Sequence, residues 1–295
     1  MSPNKEKEGS KLILLTGATG TIGRPLIDLL VGKGARVRAV TRDPLAASLP
    51  AGVEVVEGDP SRPDTLASSL RGVSALFLNP RAVGGAAVEL LALARERGVK
   101  RVVAMSALNV DFALDRQPSR IGGVYNKEVE AAAVASGLEW VGLRSGYYAV
   151  NTIGTWAAQI RASDVVRGPY PESSWAPLHE RDLAAVGAHA LLTDELVGQR
   201  PVLTGPESLT QEEMVAIIGD AIGRPLRFEE VPPEVARQGM IRAGFPEALA
   251  DGFVALQAES YGQADLVSGE VEKILGRPGL TYAQWAAEHA GAFRN

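Results

Sequence analysis

Lys11-Leu-Ile-Leu-Leu-Thr16-Gly17-Ala-Thr19-Gly20-Thr21-Ile22-Gly23-Arg24-Pro25 runs a buried-strand pattern straight into a glycine-rich turn and an amphipathic helix. The four apolar residues Leu12 to Leu15 suit a strand covered on both faces. Gly17 permits the tight turn, Gly20 lets backbone approach a pyrophosphate without a Cβ in the way, and Gly23 lets the helix lie close to the strand. Unpaired amides and the positive dipole end at the helix start then suit phosphate. The spacing is G-x-x-G-x-x-G, one residue longer in its first gap than the common dinucleotide fingerprint. Its place after a strand and before a helix marks a nucleotide site.

Composition agrees with a globular enzyme-sized protein. The 295 residues are 46% hydrophobic and 22% charged, enough for a large core and one or two domains. A net charge of −5 without a Lys/Arg run argues against nucleic-acid or anionic-membrane partners. With no cysteine, disulfides, thiolate nucleophiles and Cys-ligated zinc are excluded. Residues 1–10 are polar and mixed in charge and read as a disordered tail, not a signal. No apolar run reaches the ~18 residues of a membrane span, so a cytoplasmic protein is expected.

Strand and helix patterns alternate through the first half. Strands are expected at Leu12–Leu15, Arg36–Thr41, Val53–Glu57, Ala75–Leu78, Arg101–Met105 and Trp140–Leu143. Helices are expected at Thr21–Gly32, Asp64–Leu70, Ala86–Arg97 and Val124–Ser136. The order predicts an α/β fold, a doubly wound parallel sheet of the Rossmann type with a smaller, mostly helical C-terminal lobe. Later segments include helices at Arg181–Leu192 and Gln211–Ile222, a short strand at Pro201–Thr204, and a mostly helical stretch from Pro232 to Phe293. The expected division is a nucleotide domain over 11–150 with 178–205 returning to it. A substrate lobe over 151–177 and 206–295 would then face it across a cleft.

The chain resembles the NmrA-like atypical short-chain dehydrogenase/reductases over most of its length. The resemblance rests on Thr16–Arg24, Thr41-Arg-Asp-Pro44, Val56-Glu-Gly-Asp59 and Ser136-Gly-Leu-Glu-Trp-Val-Gly-Leu-Arg144. It continues in Tyr147-Tyr148 with Asn151, and in Pro177-Leu-His179-Glu-Arg-Asp182-Leu-Ala. It implies a nicotinamide nucleotide held by Thr16, Gly17, Thr19, Gly20, Thr21, Ile22, Gly23, Arg24, Arg42, Asp59, Asn79, Ser106 and Tyr147. The family includes quinone, ketone and imine reductases, and also nucleotide sensors without turnover.

Charge points to NADPH. An NAD site places an acid at the end of the second strand, whereas here Arg42 stands there and Arg24 opens the first helix. A 2′-phosphate gains charge-assisted hydrogen bonds from guanidinium that a 2′-OH cannot match. Asp43, one residue later, would pair with a loop cation. The competing reading of Arg24 and Arg42 is a solvated surface. Asp59 is implied by the resemblance to read the adenine amino group, against plain turn chemistry with Pro60.

Catalytic groups are less legible. The usual Tyr-x-x-x-Lys pair is absent at Tyr125, whose i+4 residue is Val129; Lys127 would lie about 200° around a helix from it. Asn126 occupies the place where relatives often carry His or Lys and stands i+4 from Glu130. It can donate a hydrogen bond but supplies no proton at neutral pH. Ser106, at the carboxyl end of the fifth strand, and Tyr148, with its neighbour Tyr147 after the sixth, stand where open α/β sheets bind ligands. The alternatives are local backbone satisfaction for Ser106 and aromatic packing for the tyrosines. His179, His189 and His289 show no metal-ligand spacing, and no metal is expected; Asp182 is expected to cap a helix or tie a loop.

The function expected is NADPH-dependent hydride transfer to an apolar or aromatic quinone, ketone or similar electrophile in the inter-lobe cleft, by a monomer or homodimer. Trp156, Trp175, Phe245 and Phe253 are candidate walls for it, or plain core. Catalytic assistance would come from Ser106, Asn126 and Tyr148. The alternatives are a non-catalytic NADP sensor and a non-redox enzyme that retains the nucleotide.

Overall fold

In the computed structural model, which describes residues 11–294, the glycine turn joins an interior strand of a parallel sheet to the first helix. The tail expected over residues 1–10 lies outside the described residues. In chain order the first elements are β1 (Leu12–Leu15), α1 (Gly23–Gly32), β2 (Arg36–Thr41), β3 (Glu54–Glu57), β4 (Ala75–Leu78), α2 (Pro80–Val83) and α3 (Ala87–Glu96). Then come β5 (Arg101–Ala107), α4 (Pro118–Ile121), α5 (Asn126–Ala135), β6 (Glu139–Ser145), α6 (Asn151–Ala162), β7 (Val165–Gly168) and β8 (Ser174–Trp175). The rest are α7 (Glu180–Leu192), β9 (Val202–Leu203), β10 (Leu209–Thr210), α8 (Gln211–Ile222), β11 (Arg227–Glu230), α9 (Pro233–Arg242), α10 (Glu247–Glu259), α11 (Glu270–Leu275) and α12 (Tyr282–Glu288).

The seven-stranded sheet has the order β3-β2-β1-β4-β5-β6-β9, which is the doubly wound parallel arrangement read from the sequence. The order reverses between β1 and β4, so ligands are expected beyond the carboxyl ends of those strands. β1 pairs with β2 from Leu12↔Arg36 to Leu15↔Ala39 and with β4 through Ile13↔Ala75 and Leu15↔Phe77. All four residues of β1, and all four of β4, are buried.

The described chain divides into two compact units. One comprises the residues up to Ser106 with Tyr125–Leu143 and Ala184–Pro201. Its core includes Leu12, Leu14, Leu76, Leu78, Leu90, Leu91, Val102 and Val129, each full burial contributing about 1.5–3 kcal/mol. The other comprises Ala107–Val124, Arg144–Leu183 and Val202 onward. Trp156, Ile160, Met214, Ile218, Tyr282, Trp285 and Phe293 form a core there. Trp156 is thus a core side chain, and Tyr282 stacks on Trp285 with centroids 5.2 Å apart.

Local details differ from the sequence reading. The helix expected over Asp64–Leu70 is a 3₁₀ turn over Pro63–Leu66, and the one expected from Val124 begins at Asn126. Tyr125 has φ −95° and ψ 61°, outside the helical region, so the 200° argument between it and Lys127 does not apply. The parallel pair β7–β11 joins residues some sixty positions apart and had no signal in either strand alone.

Candidate nucleotide site

The turn between β1 and α1 is shaped by its glycines and by Thr16. Gly17 has φ +68°, a conformation side chains resist, and a Cβ there would also lie 2.5 Å from Asn79 Nδ2. Thr16 is fully buried; its hydroxyl donates to Phe77 O at 3.0 Å and accepts from the Asn79 amide at 2.8 Å. Both bonds tie β1 to β4. Asn79 Oδ1 accepts from the Arg81 amide at 3.0 Å and caps α2. α1 itself starts with no side-chain cap and no carboxylate in its first turn. Its positive end is therefore left for an anion.

A cavity of about 400 Å³ opens beside this turn. Gly17, Thr19, Arg42, Asp59, Ser61 and Arg81 are on its wall, with Thr41, Asp43, Ala46 and Ala47. The structure thus brings four of the residues singled out in the sequence, Gly17, Thr19, Arg42 and Asp59, to one opening. It adds Ser61 and Arg81, which sequence reasoning missed. The available signal was position: Arg81 follows Asn79-Pro80 at the carboxyl end of buried β4, where ligand-facing residues gather.

The charged groups of the wall divide into those with partners and those without. Among the described residues Arg42 has no hydrogen bond or ion pair, and neither does the Arg81 guanidinium. Arg24 is different. Its guanidinium donates to the backbone oxygens of Thr19 (3.1 Å), Ser48 (2.9 Å) and Ala47 (3.1 Å). It braces the loop in which Ser48 takes φ +43°. That leaves Arg42 as the member of the expected Arg24/Arg42 pair that faces the cavity. Among the described residues Asp43 does not pair with a cation as expected: its Oδ1 accepts the amides of Leu45 and Ala46, both at 3.1 Å. Asp59 accepts from the Ser61 hydroxyl at 2.7 Å, the Ser61 amide at 3.0 Å and Arg62 Nε at 3.3 Å. The Ser61 hydroxyl, with Arg62 nearby, holds the Asp59 carboxyl below its ordinary range.

The expected catalytic residues have their own settings. Ser106 is buried at the end of β5 and its hydroxyl donates to Glu130 Oε2 at 2.6 Å. The other oxygen of Glu130 accepts from Arg200 Nε at 3.1 Å, and the Arg200 guanidinium stacks on Trp140, 4.6 Å from the ring centre. The Ser106 hydroxyl therefore meets a carboxylate. Glu130 thus accepts from both Ser106 and Arg200, and Asn126 is the first residue of α5. Tyr148 is half-buried, with its hydroxyl 2.5 Å from Ser145 Oγ. Burial pushes its phenol up to about 12, against a smaller lowering by the Ser145 hydrogen bond. Tyr147 stacks on Trp175 with centroids 4.9 Å apart, and burial raises its phenol too. Both stay protonated at neutral pH, the opposite of what a neighbouring lysine would do to a catalytic phenol.

His179 is buried and its Nδ1 accepts from the Arg181 amide at 3.2 Å. Asp182 ties a loop: it accepts from Arg277 at 2.7 Å and from the Leu280 amide at 2.6 Å. Among the described residues no group of three or more His, Cys, Asp or Glu side chains is placed to hold a metal ion. No helix among them is long and apolar enough to cross a membrane.

The sequence profile described as NAD(P)H-binding matches residues 17–190. The chain belongs to that NAD(P)H-binding family. Within it, the chain is an NAD(P)H-dependent oxidoreductase. Among its relatives is the (4-alkanoyl-5-oxo-2,5-dihydrofuran-3-yl)methyl phosphate reductase of Streptomyces griseus, 34% identical over 96% of this chain and 99% of that one. Another is the NAD(P)H azoreductase of Xenophilus azovorans, 33% identical over 96% and 99%. Of solved structures, the NADPH complex of an NADPH-dependent quinone oxidoreductase from Escherichia coli aligns with TM-score 0.78 and 24% identity over 94% of this chain and 99% of that one. Triphenylmethane reductase of Citrobacter sp. with NADP(H) aligns with TM-score 0.75 and 21% identity over 95% and 99%. These two share the fold.

The residues of this NAD(P)H-binding protein fit the nucleotide. A Cβ on Gly20 would meet, among the described residues, Gly17 O alone within 4 Å, at 3.3 Å, so apart from that oxygen the side of the turn at Gly20 is open. The uncapped start of α1 supplies amides for a pyrophosphate, and the cavity beside it carries two guanidiniums without partners among the described residues.

Proposed function

We propose that the protein is a reductase that uses NADPH in preference to NADH and acts on an apolar or aromatic electrophile of the quinone, azo or activated-carbonyl type. The preference is carried by one observation: Arg42, at the end of β2 where an NAD site has an acid, faces the cavity with no partner among the described residues. The substrate class is supported by the relatives at 33–34% identity, named as an azoreductase and as a reductase of an alkanoyl-furanone phosphate.

NADPH supplies the hydride when bound. Gly20 and the start of α1 hold the pyrophosphate, Arg42 holds the 2′-phosphate, and Arg24 keeps the 47–48 loop in place behind them. Ser106, Asn126 and Tyr148 provide polar contacts at the reacting half. With Tyr148 pushed up to about 12, proton donation by that phenol is poorly matched to neutral pH. The chain therefore works mainly by orientation, which is worth up to ~7–11 kcal/mol of barrier, and water completes the protonation of a stabilised reduced anion.

Titration of NADPH and NADH against the wild type and Arg42→Ala tests the nucleotide assignment. The wild type should prefer NADPH, and the variant should lose about 1.5–3 kcal/mol of NADPH binding, roughly ten- to a hundredfold, with NADH unchanged. An equal preference in both proteins would remove Arg42 from the site.

A further inference from the structure

Arg81 stands on α2, directly after Asn79 and Pro80, and lines the same cavity as Arg42. Its backbone is fixed by the bond from its amide to Asn79 Oδ1, and Asn79 in turn abuts Gly17. Its guanidinium is exposed and, among the described residues, takes no hydrogen bond and no ion pair. The carboxylates of the same wall are engaged elsewhere: Asp43 on the amides of Leu45 and Ala46, Asp59 on Ser61 and Arg62. Two guanidiniums thus share one opening with no acid among the described residues paired to either. Like charges so placed repel unless an anion comes between them.

We infer that Arg81 is a second cation of the 2′-phosphate site and sets, together with Arg42, the selection of NADPH over NADH. The inference rests on the NADPH reading above. A phosphate monoester carries about −1.5 to −2 charges at neutral pH, so Arg42 alone leaves it partly uncompensated, and a second planar donor completes it. Arg81 touches nucleotide and not the reacting atoms; its role is specificity.

The test is a calorimetric titration of the wild type, Arg81→Gln, Arg42→Gln and the double variant with NADPH, NADH, 2′,5′-ADP and 5′-AMP. Circular dichroism on the same samples confirms folding, which an exposed, unpartnered side chain does not control. Arg81→Gln should bind NADPH and 2′,5′-ADP about tenfold or more weakly, with NADH and 5′-AMP unmoved, and the double variant should show almost no preference. Unchanged selection in Arg81→Gln would overturn the inference. So would an equal loss for NADPH and NADH, which would put Arg81 on the adenine or the pyrophosphate. A wild type that binds both nucleotides alike would overturn the NADPH reading itself, and this inference with it.

Discussion

A Cβ on Gly23 would lie 2.3 Å from the carbonyl oxygen of Gly17, closer than any real contact of that kind. The helix α1 is pressed directly against the turn that precedes it, and Gly23 is what allows the approach. Gly20 is under less pressure: its Cβ would sit 3.3 Å from the same oxygen, a tight contact that a shift of a few tenths of an ångström relieves, with nothing else near among the described residues. One glycine serves the fold and the other leaves room for a ligand.

Gly20→Val should therefore keep its circular dichroism spectrum and lose little stability while losing NADPH binding. Gly23→Ala should instead unfold at lower denaturant concentration, because the turn must move to admit the methyl group. Undiminished nucleotide binding in Gly20→Val would make the glycine turn structural only.

Ser106 and Glu130 predict a stability effect separable from activity. Removing the serine hydroxyl leaves a buried carboxylate oxygen short of a hydrogen bond, which costs about 1–3 kcal/mol. Urea unfolding of Ser106→Ala should show this loss without any nucleotide present. If stability is unchanged and only turnover falls, the Ser106–Glu130 bond contributes nothing to the fold.

Tyr148 gives a prediction in pH. Its phenol, raised by burial to about 12, stays neutral through the range in which an ordinary tyrosine, near 10, ionises. The folded state then binds the proton more tightly than the unfolded chain. Stability should fall as pH rises between about 10 and about 12, and this part of the fall should vanish in Tyr148→Phe. An ionisation of Tyr148 near neutral pH, followed by ultraviolet difference spectra of wild type against Tyr148→Phe, would contradict the assignment and restore it as a general acid.

Lys127 is exposed on α5, and the residue before the helix, Tyr125, is not helical. Lys127→Ala should keep most of its kcat with NADPH and a responsive quinone. Removing a hydrogen bond made mainly in the transition state costs roughly 2.7–4 kcal/mol. At least one of Ser106→Ala, Asn126→Ala and Tyr148→Phe should therefore lose about a hundredfold in kcat/KM. A dead Lys127→Ala beside three active variants would reverse the assignment.

β1 and β4 were legible because they are buried on both faces and read as continuous apolar runs; they match their expected limits, as do β2, where polar residues alternate with apolar ones, and α8. Pairings such as β7–β11 were not, because they depend on distant partners. α2 escaped notice because Pro80 after Asn79 reads as a turn, and with it went Arg81. Arg42 was legible from its place at a strand end. That Arg24 would turn to the carbonyls of Ala47 and Ser48 was not, since any guanidinium near a loop offers the same donors. The buried bond from Ser106 to Glu130 links residues on β5 and α5 that no local pattern connects.

The central claim is hydride transfer, and label transfer tests it most directly. The wild type, supplied with NADPH deuterated at its transferable position and a panel of quinones and azo dyes, should form reduced product carrying the deuterium, or show a primary isotope effect where the product exchanges it. NADPH bound tightly, with no acceptor reduced and no label moved, would contradict the account and leave a nucleotide-binding regulator in its place.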